Sequence, residues 1–239
     1  MVQVLRLGVF PEGYLYPKAE RAVRDGWRQR SHLVRQQTAT GLSRHNILVR
    51  NPGVRLRAKR MHALPLEELA RLLPESAHLL AVPSRLAVMH CLAPQINTLA
   101  KLVQTRLQHP PAYEPLQTVD GLGTIVAQTM MRETGDMRRF APGGPYASYC
   151  RCVQRTTSSP GQRQGQGNVN NGHPSLAWAS REAAQCAIRF SPRGQRLYQR
   201  QQAKSHLMVA RKAVAHTLAR ACYDMMRDLG PFAVQKACG

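Results

Sequence analysis

The sequence predicts a mainly α-helical protein, with a long antiparallel helical arm of coiled-coil type followed by a second helical domain that contains a helix-hairpin-helix-like turn. Three observations lead there. Apolar residues recur at three-four spacing over long stretches. Proline and glycine clusters, Asn51-Pro52-Gly53 and His109-Pro110-Pro111, cut those stretches into segments. Strand-like alternation is nearly absent, with Tyr146 to Val153 the one candidate. A chain of 239 residues that is 43% hydrophobic can bury a real core and divides into two packing units.

The first stretch, residues 1–16, starts without N-cap logic and completes no element before the turn Pro11-Glu12-Gly13. From Lys18 to Arg50, Ala19, Val23, Trp27, Val34, Leu42 and Val49 form one helical stripe with a basic outer face, and Asn51-Pro52-Gly53 stops it. A short helix, Leu66 to Leu73, follows a basic connector. A second long helical pattern then runs from about Ala77 to Gln108. Two long helices so joined predict an antiparallel hairpin or coiled coil. Pro83 and Pro94 sit inside the second one. Each removes a hydrogen bond and costs roughly 3 kcal/mol, so kinks or a weakened arm are expected. The arm therefore spans 17–110 and the second domain 111–239, with His109-Pro110-Pro111 at the boundary.

In the second domain, Leu116 to Met131 reads as helix, glycine turn and helix, closed by Thr134-Gly135-Asp136, so that the hairpin-like unit covers 116–136. Thr156 to Gly172 is polar and glycine-rich, too poor in apolar residues for core, and reads as a surface loop or mobile hairpin within a loop spanning 154–172. Pro174 opens a helix that runs to Phe190, as proline favours the first helical position. The last helix, Ser205 to Leu229, places Leu207, Ala210, Val214, Leu218, Ala221, Met225 and Leu229 on one stripe and stops at Gly230-Pro231.

Charge sets the class of partner. With 34 Lys and Arg against 13 Asp and Glu, the formal charge is +21, and a field of this sign favours a polyanion, nucleic acid foremost. An Arg-rich composition that reflects coding bias alone would leave that charge repelling itself. No acidic residue occurs from Gly26 to Leu66, which carries nine Lys or Arg, nor from Met137 to Arg181, which carries six. Both stretches suit a phosphate backbone. Structural RNA binders share the profile, so composition gives a partner and no activity.

Cysteines and hydropathy narrow the field further. Cys91, Cys150, Cys152, Cys186, Cys222 and Cys238 include no C-x-x-C pair and no matching histidine spacing, which argues against structural zinc. Cys150 and Cys152 read as small buried side chains. No signal peptide and no apolar run of about 18 residues is present, so no membrane partner is expected, the location is cytoplasmic and the thiols stay reduced.

Two segments are candidates for chemistry. Val119-Asp120-Gly121-Leu122-Gly123-Thr124 has the form of a helix-hairpin-helix turn, in which Gly121 and Gly123 let backbone amides approach a phosphate; an ordinary tight interhelical turn fits equally. Ser158 and Ser159 lie in the polar loop with Gly161, Arg163 and Gly165-Gln166-Gly167-Asn168 after them. A serine nucleophile needs a deprotonating group or a phosphate held near its hydroxyl, and flanking arginines supply the second. From the residues alone, two ordinary loop serines remain the simpler reading, since no Ser-His-Asp arrangement is visible. Metal chemistry is poorly served: the only aspartates are Asp25, Asp120, Asp136, Asp224 and Asp228, and Glu133 and Asp136, at one helix end, read as capping or solvated residues. No metal site and no autonomous metal nuclease are expected.

The ordered motifs resemble one family. Arg6-Leu7-Gly8-Val9-Phe10-Pro11-Glu12-Gly13-Tyr14, Arg24-Asp25 and His32-Leu33-Val34-Arg35-Gln36 are similar to the segment that follows the nuclease domain in transposases of the insertion-sequence-110 (IS116/IS110/IS902-type) family. Ser148-Tyr149-Cys150-Arg151-Cys152-Val153, Gly165-Gln166-Gly167-Asn168, Leu176-Ala177-Trp178-Ala179 and Tyr198-Gln199-Arg200 resemble its C-terminal domain. So does Lys212 to Tyr223.

The resemblance implies a recombinase that moves its own element, built from a RuvC-like (DEDD) domain with four acidic residues, a coiled-coil arm and a C-terminal domain with a nucleophilic serine. By motif position that serine is Ser159, with Ser158 as the fallback. DNA-binding roles fall on Gly121, Gly123, Arg138, Arg139, Arg151, Arg155, Arg163 and Asn168. Residues 1–16 then correspond to the end of a missing nuclease domain, and the chain to a truncated copy. No cofactor is expected in this chain, Mg²⁺ belonging with the missing acidic domain, and strand exchange by this chain alone is not expected. The implied partners are DNA at element ends and target, a structured guide RNA, and further copies of the chain or intact transposase in a homo-oligomer or mixed oligomer, near the bacterial nucleoid. Departures are Pro94 in the arm, Gln162 and Gln164 where the loop is usually lysine-rich, and His173-Pro174-Ser175 in place of an Asn-Lys-Tyr type sequence. A non-catalytic DNA or RNA binder, either a remnant or an inhibitor of intact transposases, is the rival reading.

Overall fold

The computed structural model describes residues 14–50, 60, 65–73, 76–105, 111–119, 122–140, 143–153, 156–159, 162–166 and 171–230. The chain divides into two compact units, Met1–Leu107 and Gln108–Gly239. The turn at Pro11-Glu12-Gly13, the stop at Asn51-Pro52-Gly53 and Cys238 lie outside the described residues.

The first unit holds α1 (Lys18–Arg50), α2 (Leu66–Leu72) and α3 (Ser76–Thr105). At 33 residues, α1 is about 50 Å long. It packs antiparallel on α3, as three contacts along its length show. A Cβ on Gly26 would meet Val103 at 3.7 Å, and one on Gly41 would meet Met89 at 3.3 Å. Leu48 clusters with Val82 and Leu73. Each step toward the C-terminus of α1 is thus a step toward the N-terminus of α3.

Among the described side chains of α3 the buried ones are Val82, Met89, Ile96 and Val103, one every seven positions. The seam on α1 is not the apolar stripe expected from the sequence. It passes through Trp27, Arg30, Val34, Gln37, Gly41, Arg44 and Leu48, all buried or half-buried, in strict three-four alternation. Leu42 is 59% exposed, and Ala19 is exposed as well. The aliphatic stems of Arg30, Gln37 and Arg44 cover apolar surface in the seam, which is why picking hydrophobic letters alone drifted off the contact face. The helix α3 runs unbroken through Pro83 and Pro94.

The second unit comprises α4 (Tyr113–Gln117), α5 (Thr124–Thr134), a 3₁₀ turn (Met137–Arg139), α6 (Gly143–Tyr149), an antiparallel hairpin of β1 (Thr156–Ser159) and β2 (Gln162–Gln166), α7 (Pro174–Phe190), α8 (Pro192–Gln202) and α9 (Leu207–Asp228). Helix α9 is central and packs on α4, α6, α7 and α8. Its Ala210, Val214, Leu218, Ala221 and Met225 are buried as the spacing requires, while Leu207 and Leu229 at the ends are exposed. Small residues, Ala179, Ala183, Ala184 and Ala187 on α7 and Ala215 and Ala219 on α9, line the shared core and admit close helix approach. Helix α8 abuts the end of α7 so tightly that a Cβ on Gly194 would lie 2.5 Å from the Ala187 carbonyl oxygen. Ser191 caps α8 through Gly194 N–H, with Pro192 at the first helical position.

Two local expectations are corrected here. Tyr146 to Val153 is not a strand: Tyr146 and Ala147 face the core from α6, and Cys150 follows one turn after Tyr146, so helical spacing buries all three. Glu133 is not solvated but buried, 1% exposed. Asp136 does cap, accepting from Arg138 N–H at 2.9 Å.

Candidate nucleic-acid interface

The serine segment is a hairpin. Thr157 pairs with Gln164, Ser158 with Arg163 and Ser159 with Gln162, so Ser159 holds the last paired position before the turn. Of the two forms expected for this polar segment, surface loop or hairpin, the described residues take the hairpin, and the threonines suit a strand.

The chain enters and leaves this hairpin at one place, the C-terminal end of α6. On the entering side Arg151 N–H donates to the Ser148 carbonyl at 2.9 Å and Cys152 N–H to the Ala147 carbonyl at 3.0 Å. Arg151 itself adopts φ 56°, a left-handed conformation that turns the chain out of the helix. On the leaving side His173 N–H donates to the Tyr149 carbonyl at 2.7 Å. The Arg151 guanidinium joins the two sides, donating to the Gly172 carbonyl at 3.1 Å. Gly172 has φ 92°, and a Cβ there would lie 2.5 Å from the Tyr149 carbonyl oxygen. Only glycine meets both conditions.

Beneath this base lies a buried polar layer. His173 Nε2 stands 3.4 Å from a Glu133 carboxylate oxygen, with the histidine side chain largely buried. The Tyr149 ring lies 5.7 Å from the His173 ring. Thr134 Oγ1 and the Tyr146 hydroxyl share a hydrogen bond of 3.0 Å, and burial raises the Tyr146 pKa well above its ordinary value. Cys150 and Cys152 are buried, as expected. Burial first, and then Cys152, push the Cys150 thiol up to about 12, and burial raises Cys152 also. Neither thiol is a nucleophile at neutral pH.

Each candidate residue has its place in this frame. Ser158 and Ser159 lie on β1 and Arg163 on β2 opposite Ser158. Arg151 fastens the hairpin base. Arg138 is exposed and pairs with Asp136. Arg139 is turned into the fold, donating to the Thr134 carbonyl at 2.7 Å with its guanidinium 4.4 Å from the Phe140 ring centre and 4.8 Å from that of Tyr149. Gly123 is the N-cap of α5 with ordinary extended backbone, and a Cβ there would meet nothing within 4 Å. Gly121, Arg155 and Asn168 lie outside the described residues. Among the described residues no group of three or more His, Cys, Asp or Glu is placed to hold a metal ion, and no helix is long and apolar enough to cross a membrane.

The sequence reading missed the Glu133–His173 pair and a basic face formed by α7 and α9. Arg181 lies three positions after Trp178, and Arg211 and Lys212 three and four after Met208, so each set sits on one helix face. That spacing was legible. Which faces meet was not.

Comparison with known families gives one match in this region: residues 113–199 match the Transposase IS116/IS110/IS902 family. The matched segment opens with α4 and ends within α8, and so contains the whole hairpin and its base. No curated protein matches the chain.

Proposed function

We propose, from the match of residues 113–199 to the Transposase IS116/IS110/IS902 family, that the chain is an insertion-sequence transposition protein that binds element DNA and that Ser159 on β1 is the residue that bonds to it. The carrying observation is the position of Ser159 at the closing end of a hairpin fastened at one point to the core. In the proposed step the Ser159 hydroxyl loses its proton and its oxygen bonds to a backbone phosphorus. The bond from phosphorus to one deoxyribose oxygen breaks, and the released strand end takes up a proton as an alcohol. Ser158 is the alternative nucleophile.

DNA contacts are assigned to the Arg151, Arg155 and Arg163 region, with Gly121, Gly123, Arg138, Arg139 and Asn168 as further candidates. Cations at the phosphates supply affinity that falls with salt. The antiparallel pair of α1 and α3, buried at seven-residue spacing on α3, is read as a coiled-coil arm that brings copies of the chain or intact transposases together. A structured guide RNA is a second proposed partner of the basic face of α1. Any Mg²⁺ is assigned to acidic side chains of another domain or chain.

The rival is a binder without chemistry. One experiment separates them: purified chain with labelled element-end DNA on a denaturing gel, wild type against Ser159→Ala and Ser158→Ala, with and without an added acidic nuclease domain. A covalent band lost only in Ser159→Ala supports the assignment. Salt-sensitive binding with no covalent band under any condition leaves the binder.

A further inference from the structure

A cavity of about 710 Å³ opens beside the base of the serine hairpin, between the chain leaving α6 and the helices α7 and α9. Its size falls in the range of small-ligand sites. Cys150, Cys152, Ala177, Ala184 and Ala215 give it a buried, small-residue floor. Four cations, Arg151, Arg181, Arg211 and Lys212, stand around that floor against one carboxylate, Glu182.

Among the described residues, none of Arg181, Arg211 and Lys212 has a carboxylate within ion-pair distance. The charges of Lys212 and Arg181 reach the floor, where both act on the Cys152 thiol. Trp178 also lines the cavity, 39% exposed although its neighbours Ala177 and Ala179 are buried. No ring or cation contact of the described residues occupies its face. An accessible indole beside uncompensated cations, over a floor without charge, matches a nucleotide: a π-face for the base and positive charge for the phosphate.

We propose that this cavity is a subsite for one unpaired nucleotide of a DNA strand, with the base stacked on Trp178 and the adjoining phosphate among Arg181, Arg211 and Lys212. The inference rests on the DNA-binding reading above and adds to it a single-strand site next to the serine hairpin. Arg151 belongs to both features: it lines the cavity and ties Gly172 at the hairpin base. A nucleotide held there places the neighbouring phosphate of the same strand toward the hairpin.

The chain supplies its own probe, because it has two tryptophans and Trp27 lies in the first unit. A Trp27→Phe variant leaves Trp178 as the sole indole, and its fluorescence is followed while the full chain is titrated with a 12-nucleotide oligo-dT, the matching duplex and oligo-U. Oligo-dT is expected to quench Trp178, and duplex to bind with little quenching. In a chain that keeps Trp27, Trp178→Ala is expected to weaken oligo-dT binding about tenfold, with duplex affinity unchanged and Trp178→Phe close to wild type. Arg181→Gln is expected to lower the slope of log affinity against log salt by about 0.7. Trp178 is half-exposed, so a thermal melt matching wild type establishes that Trp178→Ala folds. Unquenched Trp178 and unchanged oligo-dT affinity in Trp178→Ala, with duplex still bound, overturn the subsite and spare the DNA-binding reading. Tighter binding and stronger quenching by oligo-U overturn the assignment to DNA. Failure of every oligonucleotide to bind overturns the DNA-binding reading itself.

Discussion

Replacing Gly172 by alanine tests whether the hairpin base is held as tightly as its geometry requires. At φ 92° an L-residue costs about 1–2 kcal/mol from backbone sterics alone. The new Cβ would meet the Tyr149 carbonyl oxygen at 2.5 Å and the Ser148 carbonyl oxygen at 3.2 Å. Both oxygens already accept hydrogen bonds, from His173 N–H and Arg151 N–H, and both belong to the end of α6. The relief must come from residues 171–173 backing away, which stretches the 2.7 Å bond from His173 to Tyr149 and forfeits about 1 kcal/mol. The sum is about 2–3 kcal/mol. For a folded unit of this size each kcal/mol moves the melting point by roughly 3–5 °C, so Gly172→Ala should melt about 6–15 °C lower by circular dichroism. The His173 amide should exchange faster with deuterium. A melting point within about 2 °C of wild type, with unchanged exchange at His173, would refute the reasoning.

Other perturbations reach other parts of the molecule. Arg44 is 1% exposed, and its Nε and Nη2 have no hydrogen-bond partner; burial lowers its pKa. Arg44→Met keeps the stem and removes the desolvated charge, so the α1–α3 pair should be stabilised by about 1–4 kcal/mol, read as a higher urea midpoint. Burial raises the Cys150 thiol from 9.0 to about 12, so the folded state holds this proton more tightly than the unfolded state does. Stability from that group is complete below pH 9 and falls as pH rises toward 12. The urea midpoint should drop between pH 8 and 10 in wild type and drop less in Cys150→Ala. With a thiol reagent at pH 8, Cys91, which is exposed, should react in the native protein, while Cys150, Cys152 and Cys222 should react only after unfolding.

The helices were legible because their information is local. Proline at 174, glycine at 135 and the three-four spacing of α9 each act within a turn or two, and α1 begins at Lys18, where its pattern starts. Features that depend on distant residues were not legible. Glu133 looked like a helix-end carboxylate because its partner, His173, lies forty positions away. The α1 seam went wrong at Leu42 because α3 selects a face with Arg30, Gln37 and Arg44 in it, and no rule of hydrophobic letters finds arginine in a contact seam. Tyr146 to Val153 was misread because aromatic and small residues suit a strand as well as a short helix, and the core behind α6 decides. The serines and the choice of loop or hairpin were visible, and the register that sets Ser159 opposite Gln162 was not. The basic cavity needed both α7 and α9 to be placed before its four cations could be seen as neighbours.

Because both ends of the serine hairpin are fastened to the last carbonyls of α6, the hairpin behaves toward the rest of the protein as an interchangeable cassette. The cost of bringing its ends together is met by Arg151, Gly172 and His173, not by the hairpin's own sequence. Closing a longer loop on the same anchor adds only about 0.6 kcal/mol per doubling of length. Length and composition between the anchors can therefore diverge without disturbing the helical core. The strands of one relative should be transplantable into another as long as the residues at the anchor travel unchanged.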